Sequence, residues 1–281
     1  MHSIRIKSLV AEIQNINCNA SIVGTPENIF YLTGFWGSGF LVLERDRITL
    51  YTNSLDGKRA ISEAKECEVR IVSKWESVFD IISREICAGD ICFDDIQASL
   101  FSTFEIKMPN RCSLRPGIFH KVRRIKDQFE LDSLRRGGKV IDELYRIIEK
   151  EVKFGMSERV IAARLLSAGV ERGCDPPSFQ ATISPIIVAS GPNSAHPHID
   201  LTDRKIKNGD SLIIDITMRR NGYVADATRT FIIGRTSSEI RKAYEIVKDA
   251  QELGVGIVKE GISGGEIDFG VRNMIRKRGY V

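Results

Sequence analysis

The stretch "SLIIDITMRRNGYVADATRTFIIG", residues 211–234, decides how the second half of this chain is read. It divides at Asn221-Gly222 into two runs rich in β-branched and apolar residues. Asn-Gly is the strongest short-range hairpin signal, because both residues of a type I′ turn need positive φ. With these two residues at the turn, Arg220 opposes Tyr223, Thr217 opposes Asp226 and Asp215 opposes Thr228. Side chains alternate along a strand. Asp215, Thr217, Asp226, Thr228 and Thr230 therefore share one face, and Ile214, Ile216, Ala225, Ala227 and Phe231 take the other. A four-residue loop would keep this parity, whereas a three-residue loop would send the aspartates to opposite faces.

Aspartate is depleted in strands, and a buried carboxylate is costly unless something pairs it. Asp215 and Asp226 are diagonal cross-strand neighbours in this register, with Cα atoms about 7–8 Å apart. Two carboxylates at that spacing can reach a common point, and divalent ions about 3.5–4 Å apart fit between them. Such ions would also cancel the repulsion between the two charges. Three other readings stay open on pattern alone. The aspartates can sit on a solvated face, although the apolar flanks argue against that. They can pair with Arg219, Arg220 or Arg229, although Arg229 falls on the other face. They can share a proton as an acid/base dyad. Oxygen ligands suit Mn²⁺, Co²⁺ or Zn²⁺.

Just upstream, "ASGPNSAHPHID" (189–200) holds two of the four histidines, His196 and His198. A Gly-Pro-Asn loop between strand-like runs is a natural place for a histidine that binds a substrate carbonyl, shuttles a proton or ligates metal. Surface decoration is the bland alternative, and the pattern does not separate His198 from His196.

The remainder of the chain bounds these readings. Its 281 residues exceed one average domain, and 42% hydrophobic with 28% charged residues is ordinary for a globular protein. A net charge of +4 gives no reason to invoke nucleic acid or an anionic membrane. No apolar run approaches the roughly 20 residues of a membrane span. The six cysteines (18, 67, 87, 92, 112, 174) form no CxxC, and no signal peptide opens the sequence. Reduced thiols in a cytoplasmic protein are expected.

Residues 1–120 alternate strand-like and helix-like segments: a helical "SIRIKSLVAEIQ", a short apolar "ASIVG" and a hairpin in "FLVLERDRITLYT" turning near Arg45-Asp46. "EVRIV" and "DICFD" are strand candidates around the amphipathic "ESVFDIISREI". This predicts an α/β domain with a mixed sheet. "HKVRRIKD" (120–127) is expected to be a solvated linker. Asp127 and Glu130 form a capping-box-like start to a long helix with Val140, Leu144, Ile147 and Ile148 on one face. The second part, 121–281, contains an internal repeat. "GMSERVIAARLLSAGVERGC" from Gly155 and "GISGGEIDFGVRNMIRKRGYV" from Gly261 both open Gly-apolar-Ser and reach Arg-Gly at Gly173 and Gly279. Each unit reads as helix, Gly-turn, helix, Arg-Gly exit. The first continues into "FQATISPIIVASG" and the aspartate hairpin; the second reaches Val281 where its own strands should begin.

"VASGPNSAHPH", "GDSLIIDI" and "NGYVADATRTFIIG" together resemble, in order and spacing, the first catalytic segments of the pita-bread metallopeptidases, specifically the Xaa-Pro dipeptidases (prolidases) and Xaa-Pro aminopeptidases. "NIFYLTGFWGSGFLVL" (28–43) is similar to the hallmark of the creatinase-type N-terminal domain. "VRRIKDQFELDSLRRGG" is similar to the opening of the catalytic domain. The resemblance covers nearly the whole chain. It implies a mixed-sheet N-terminal domain over 1–120, followed over 121–281 by the first part of a pita-bread domain.

By the same resemblance, Asp215 would serve one of two divalent ions (Mn, Co or Zn), Asp226 would bridge both, and His198 would face the substrate near the scissile bond. The implied reaction is hydrolysis of an Xaa-Pro bond by a metal-bridging hydroxide, on a small peptide with proline second, in a homodimer. The family's other ligands, one histidine and two glutamates, belong to segments after "RGYV", and no histidine follows His198. The expectation is therefore an incomplete catalytic domain, inactive as this chain. A non-catalytic peptide-binding or dimerisation scaffold and a metal-free creatinase-like amidinohydrolase are the alternatives.

Overall fold

Phe40, Leu41, Val42 and Leu43 are all buried. A strand buried at every position belongs to a sheet covered on both faces, and this one lies at the centre of the first sheet. The computed structural model describes residues 1–86, 89–178, 182 and 184–280. The chain divides into two compact units, Met1–Leu131 and Asp132–Val281.

The first unit runs α1 (His2–Asn15), β1 (Ala20–Val23), α2 (Pro26–Thr33), β2 (Phe40–Leu43), β3 (Ile48–Asn53), α3 (Gly57–Glu63), β4 (Glu68–Val72), α4 (Val78–Glu85), β5 (Ile91–Phe93), α5 (Ala98–Lys107), β6 (Cys112–Leu114) and α6 (Pro116–Arg124). The strands form one six-stranded sheet in the order β4-β3-β2-β1-β5-β6. β2 runs antiparallel to β1 and β3, and the other pairings are parallel, so the sheet is mixed as the sequence indicates. The β2–β3 turn closes with the Glu44 N–H donating to the Arg47 carbonyl, with Arg45-Asp46 at its tip. Alternation along the strands feeds two cores. Leu41, Leu43 and Leu50 join Leu9, Ile29 and Phe119 on one face. Phe40, Val42 and Tyr51 join Val78, Phe93 and Phe104 on the other, where Phe40 and Phe104 meet edge to face at 5.2 Å.

The expected solvated linker over 120–127 shrinks to 125–127, between two helices. Residues 120–124 are the last turn of α6, whose Ile118 and Phe119 are buried. Lys121, Arg123 and Arg124 occupy the helix C-terminus, where cations complement the dipole. Lys121 donates to Glu12, and Arg123 to the Asn28 carboxamide oxygen. The basic run hid a helix because its apolar residues are few and lie on one side. Five described cysteines are free thiols, and Cys87 lies outside the described residues. No described helix is long and apolar enough to cross a membrane.

The long helix α7 spans Gln128–Glu151. Its start is the reciprocal cap expected from the sequence: the Glu130 N–H donates to Asp127 Oδ1 at 3.0 Å, and the Asp127 N–H to Glu130 Oε2 at 2.9 Å. The second unit continues with α8 (Glu158–Glu171), β7 (Ile186–Ser190), β8 (Ser211–Arg220), β9 (Tyr223–Ile232), α9 (Ser238–Ile257) and α10 (Gly264–Lys277). Strands β7, β8 and β9 form an antiparallel sheet in that order. Its inner face, Leu212, Ile214, Ile216 and Met218, packs with Val140, Leu144 and Ile148 of α7 and with Ile161 and Leu165 of α8. Ile147 packs at the edge of the same cluster.

The internal repeat is a structural one. Gly155 and Gly261 both have φ +84°, and Gly173 and Gly279 have φ +75° and +88°. Ser157 and Ser263 cap the two helices through their hydroxyl oxygens. At the exits, the Cys174 N–H reaches the Gly169 carbonyl and the Tyr280 N–H the Ile275 carbonyl, the longer bond of a Schellman-type end. The first unit's continuation through Phe179, Gln180, Ala181 and Ile183 lies outside the described residues.

Candidate functional site

The aspartate hairpin has the register the turn chemistry dictates. Asn221 and Gly222 take φ +49° and +81°, both positive as a type I′ turn demands. Arg220 faces Tyr223, Thr217 faces Asp226, and Asp215 faces Thr228. β7 extends the sheet on the other side, with Ile187 opposite Asp215, so a buried isoleucine flanks the first aspartate.

Each aspartate is steadied by a threonine on its own face. Thr228 donates to Asp215 Oδ1 at 2.6 Å, and Thr217 to Asp226 Oδ1 at 3.4 Å. The register sets the two aspartates diagonally across β8 and β9 on one face. Partial burial first, and then the adjacent charge of Asp215, hold the Asp226 carboxyl above its ordinary value. A raised pKa next to a second carboxylate marks a pair that repels when ionised and that a cation would relieve.

The arginines that competed for these aspartates are engaged elsewhere. Arg219 lies 3.7 Å from Asp175. Arg220 donates to the Arg172 carbonyl. Arg229 covers the Tyr145 ring at 5.4 Å, on the opposite face as the alternation requires. Tyr145 donates to the Ile214 and Ala227 carbonyls from beneath the sheet, and burial pushes its phenol well above the ordinary range.

One expectation needs correcting. The apolar flanks argued against a solvated face, yet Asp226 and Thr228 are exposed and Asp215 is half-buried. The flanking isoleucines of β8 bury on the other face, so a strand's total hydrophobicity says little about the face that carries its polar residues. Among the described residues, no group of three or more His, Cys, Asp or Glu is placed to hold a metal. The hairpin supplies two carboxylate donors, which fits part of a dication site.

His196 and His198 are both exposed on the loop that follows β7. That loop opens with a 3₁₀ turn, Gly191–Ala195. Neither imidazole is among the described hydrogen-bond partners of the aspartates. Beneath the loop lies a polar network that sequence reading missed. Glu158, 0% exposed, accepts from the Ser190 N–H at 2.8 Å, the Ser190 hydroxyl at 2.7 Å and both ways from the Asn193 amide at 3.0 Å. It also accepts from the Thr202 hydroxyl. Burial pushes its carboxyl up, but the Thr202, Ser190 and Asn193 donors outweigh it and hold the group below the usual glutamate range. Arg204 donates to the Ser190 hydroxyl at 2.6 Å and forks onto both oxygens of Asp210 at 2.6 and 2.9 Å. A signal was present: Glu158 heads the stripe Glu158, Ile161, Leu165, whose spacing faces the core.

Gly191 shows how tightly this network fills the loop. With φ +52°, its absent Cβ would lie 2.5 Å from both an Arg204 guanidinium nitrogen and Asp210 Oδ1. A side chain there would both strain the backbone and push the Arg204–Asp210 pair aside.

Comparison with known proteins bears on this geometry. The profile of metallopeptidase family M24 matches residues 132–281, and that of the creatinase/prolidase N-terminal domain matches residues 5–116. The Xaa-Pro dipeptidase of Pyrococcus furiosus is 26% identical over 98% of this chain and 78% of its own length. Among solved structures, recombinant prolidase from Thermococcus sibiricus superposes with a TM-score of 0.88 at 30% identity, covering 100% of this chain and 78% of that one. The X-Pro aminopeptidase of Thermotoga maritima gives 0.85 at 26% identity, covering 98% and 78%.

Proposed function

We propose a metal-dependent hydrolase of Xaa-Pro peptide bonds, on the premise that this chain belongs to metallopeptidase family M24. It joins a creatinase-type N-terminal domain with a mixed sheet to a pita-bread catalytic domain. The observation that carries the reading is the aspartate pair: two carboxylates diagonal to each other on one sheet face, with Asp226 shifted upward by burial and by its neighbour.

Asp215 and Asp226 would give oxygen donors to divalent ions. Oxygen-rich sites of this kind accept Mn²⁺, Co²⁺ or Zn²⁺. When bound, such ions acidify water and polarise the carbonyl of the scissile bond. The protein's own residues do the positioning. Thr217 and Thr228 orient the two carboxylates through their hydroxyls. The loop over 190–202 presents His198, which would donate to the peptide carbonyl oxygen as negative charge builds on it. The relatives named as Xaa-Pro dipeptidase and X-Pro aminopeptidase support a substrate with proline second.

The test, on the full-length protein, is release of the N-terminal residue from Xaa-Pro dipeptides and longer Xaa-Pro peptides, with and without Mn²⁺ or Co²⁺. Metal-dependent release that vanishes in Asp215→Asn and Asp226→Asn is the expected result. Failure to cleave with metal present overturns the hydrolase; retained Xaa-Pro binding in that case points to a non-catalytic peptide-binding protein on the same fold. Metal-independent cleavage of a guanidino substrate points instead to an amidinohydrolase.

A further inference from the structure

Glu158 heads α8, outside the aspartate hairpin, and has no exposed surface. A charge taken fully out of water is expensive unless strong hydrogen bonds replace its hydration. Every partner of Glu158 described above belongs to one segment. Ser190 begins the histidine loop, Asn193 sits in its 3₁₀ turn, and Thr202 lies where it ends. The carboxylate therefore grips the loop at both ends, with His196 and His198 in the exposed span between.

The grip extends to the aspartate strand. Ser190 takes a second bond from Arg204, and Arg204 is held by Asp210, the residue before β8 begins. Ser194 and Ser211, the first residue of β8, share a hydroxyl hydrogen bond of 2.7 Å. Charge-assisted bonds thus link the helix, the histidine loop and the residue before the strand carrying Asp215, and a hydroxyl–hydroxyl bond ties the loop to that strand's first residue. Such networks lose little entropy once formed and fix one arrangement in preference to others.

We propose that Glu158 is a positioning residue for His198: its buried carboxylate clamps the loop over 190–202 against the start of β8, and so sets the histidine relative to the two aspartates. The role of His198 rests on the hydrolase reading above, whereas the clamp does not. Substituting glutamine keeps the shape but turns an acceptor into an NH₂ group facing the Asn193 amide. A loop held this way should loosen locally while the sheet beneath it stays closed.

Hydrogen exchange on the full chain tests the clamp directly, with Glu158→Gln and Asn193→Ala beside the parent. Amides over 190–204 should exchange about tenfold faster in Glu158→Gln, and less so in Asn193→Ala, with β8–β9 and the first unit unchanged. The imidazole C–H resonances of His196 and His198 should shift in both variants, while those of His2 and His120 hold. In the metal-loaded full-length protein, kcat for an Xaa-Pro dipeptide should fall about tenfold with KM and Mn²⁺ affinity little changed, because misplacement of a catalytic group costs rate rather than binding. Uniform acceleration of exchange through α8 and the sheet would make Glu158 a folding residue and overturn the proposal. So would an unchanged loop in both variants, or a rise in KM with kcat intact. Asn193→Ala leaves the buried carboxylate its Ser190 and Thr202 donors, so the test survives if Glu158→Gln does not fold. Should the parent protein cleave nothing, the hydrolase reading fails while the exchange data still decide the clamp.

Discussion

Helices α8 and α10 each run 14 residues from a serine N-cap to an arginine C-cap, entered and left through glycines in the left-handed region. Each follows a long helix, α7 or α9. Past the caps the two pairs diverge. The α7–α8 pair lies on the three-stranded sheet and buries Leu144, Ile148, Ile161 and Leu165 in one cluster. In the α9–α10 pair, α10 buries no residue and α9 only Ile246 and Ala250. The two helices meet at Gly254, where an added Cβ would lie 2.9 Å from Val271, while Val255 at 64% and Phe269 at 66% face outward. The same local signals thus make the same turns and caps with or without a sheet to pack on. Caps and Gly turns are satisfied by atoms within a few residues, whereas burial needs a partner surface.

The largest effect expected from this contrast is in the core. Leu165→Ala should cost about 2–5 kcal/mol in urea unfolding, while its repeat counterpart Val271→Ala costs under about 1 kcal/mol. Equal costs would break the contrast. The next is acid sensitivity. Glu158 has a depressed carboxyl pKa, so its contribution is present above the unfolded glutamate value of about 4.3 and is lost as pH falls through the lower folded value. Glu158→Gln should remove part of the acid-induced loss of stability. Glu266→Gln should change the acid profile less, because its carboxylate, though held low by the Ser263 backbone and hydroxyl, sits in open solvent where water screens the interaction.

A third prediction sharpens the likeness instead. Gly155 and Gly261 share φ +84°, and an added Cβ meets nothing within 4 Å at either, so only backbone strain is at issue. Alanine at each should cost about 1–2 kcal/mol, equally in the two pairs. Unequal thermal shifts would show that the turns are not equivalent. The smallest effect has the opposite sign. The folded state holds Asp226 above its ordinary pKa, so it favours the neutral carboxyl and loses stability as pH rises through that value. Metal-free Asp226→Asn should melt no lower than the parent at pH 7, yet lose any rise in Tm that Mn²⁺ gives the parent.

How much was legible varies with distance along the chain. The Asn221-Gly222 turn fixed the hairpin's register from two residues, and every facing pair around it follows. The Asp127–Glu130 cap and the Gly155/Gly261 repeat were equally local. The basic run at 120–127 misled, because charge at a helix terminus reads like a linker when the buried residues of that helix, Ile118 and Phe119, lie just before the run. The stripe Glu158, Ile161, Leu165 marks Glu158 as core-facing, but its partners lie 32 to 44 residues away, and no local pattern names them.

The sequence by itself determined where this chain turns, which residues cap its helices, and that Asp215 and Asp226 share a sheet face, since all of these follow from φ preferences and side-chain alternation within a few residues. Only the tertiary structure decided which faces are covered. It left the aspartate face open to solvent, put the first helix pair on a sheet, and closed a buried carboxylate under the histidine loop. Burial depends on surfaces brought together from distant segments, and no local preference encodes that.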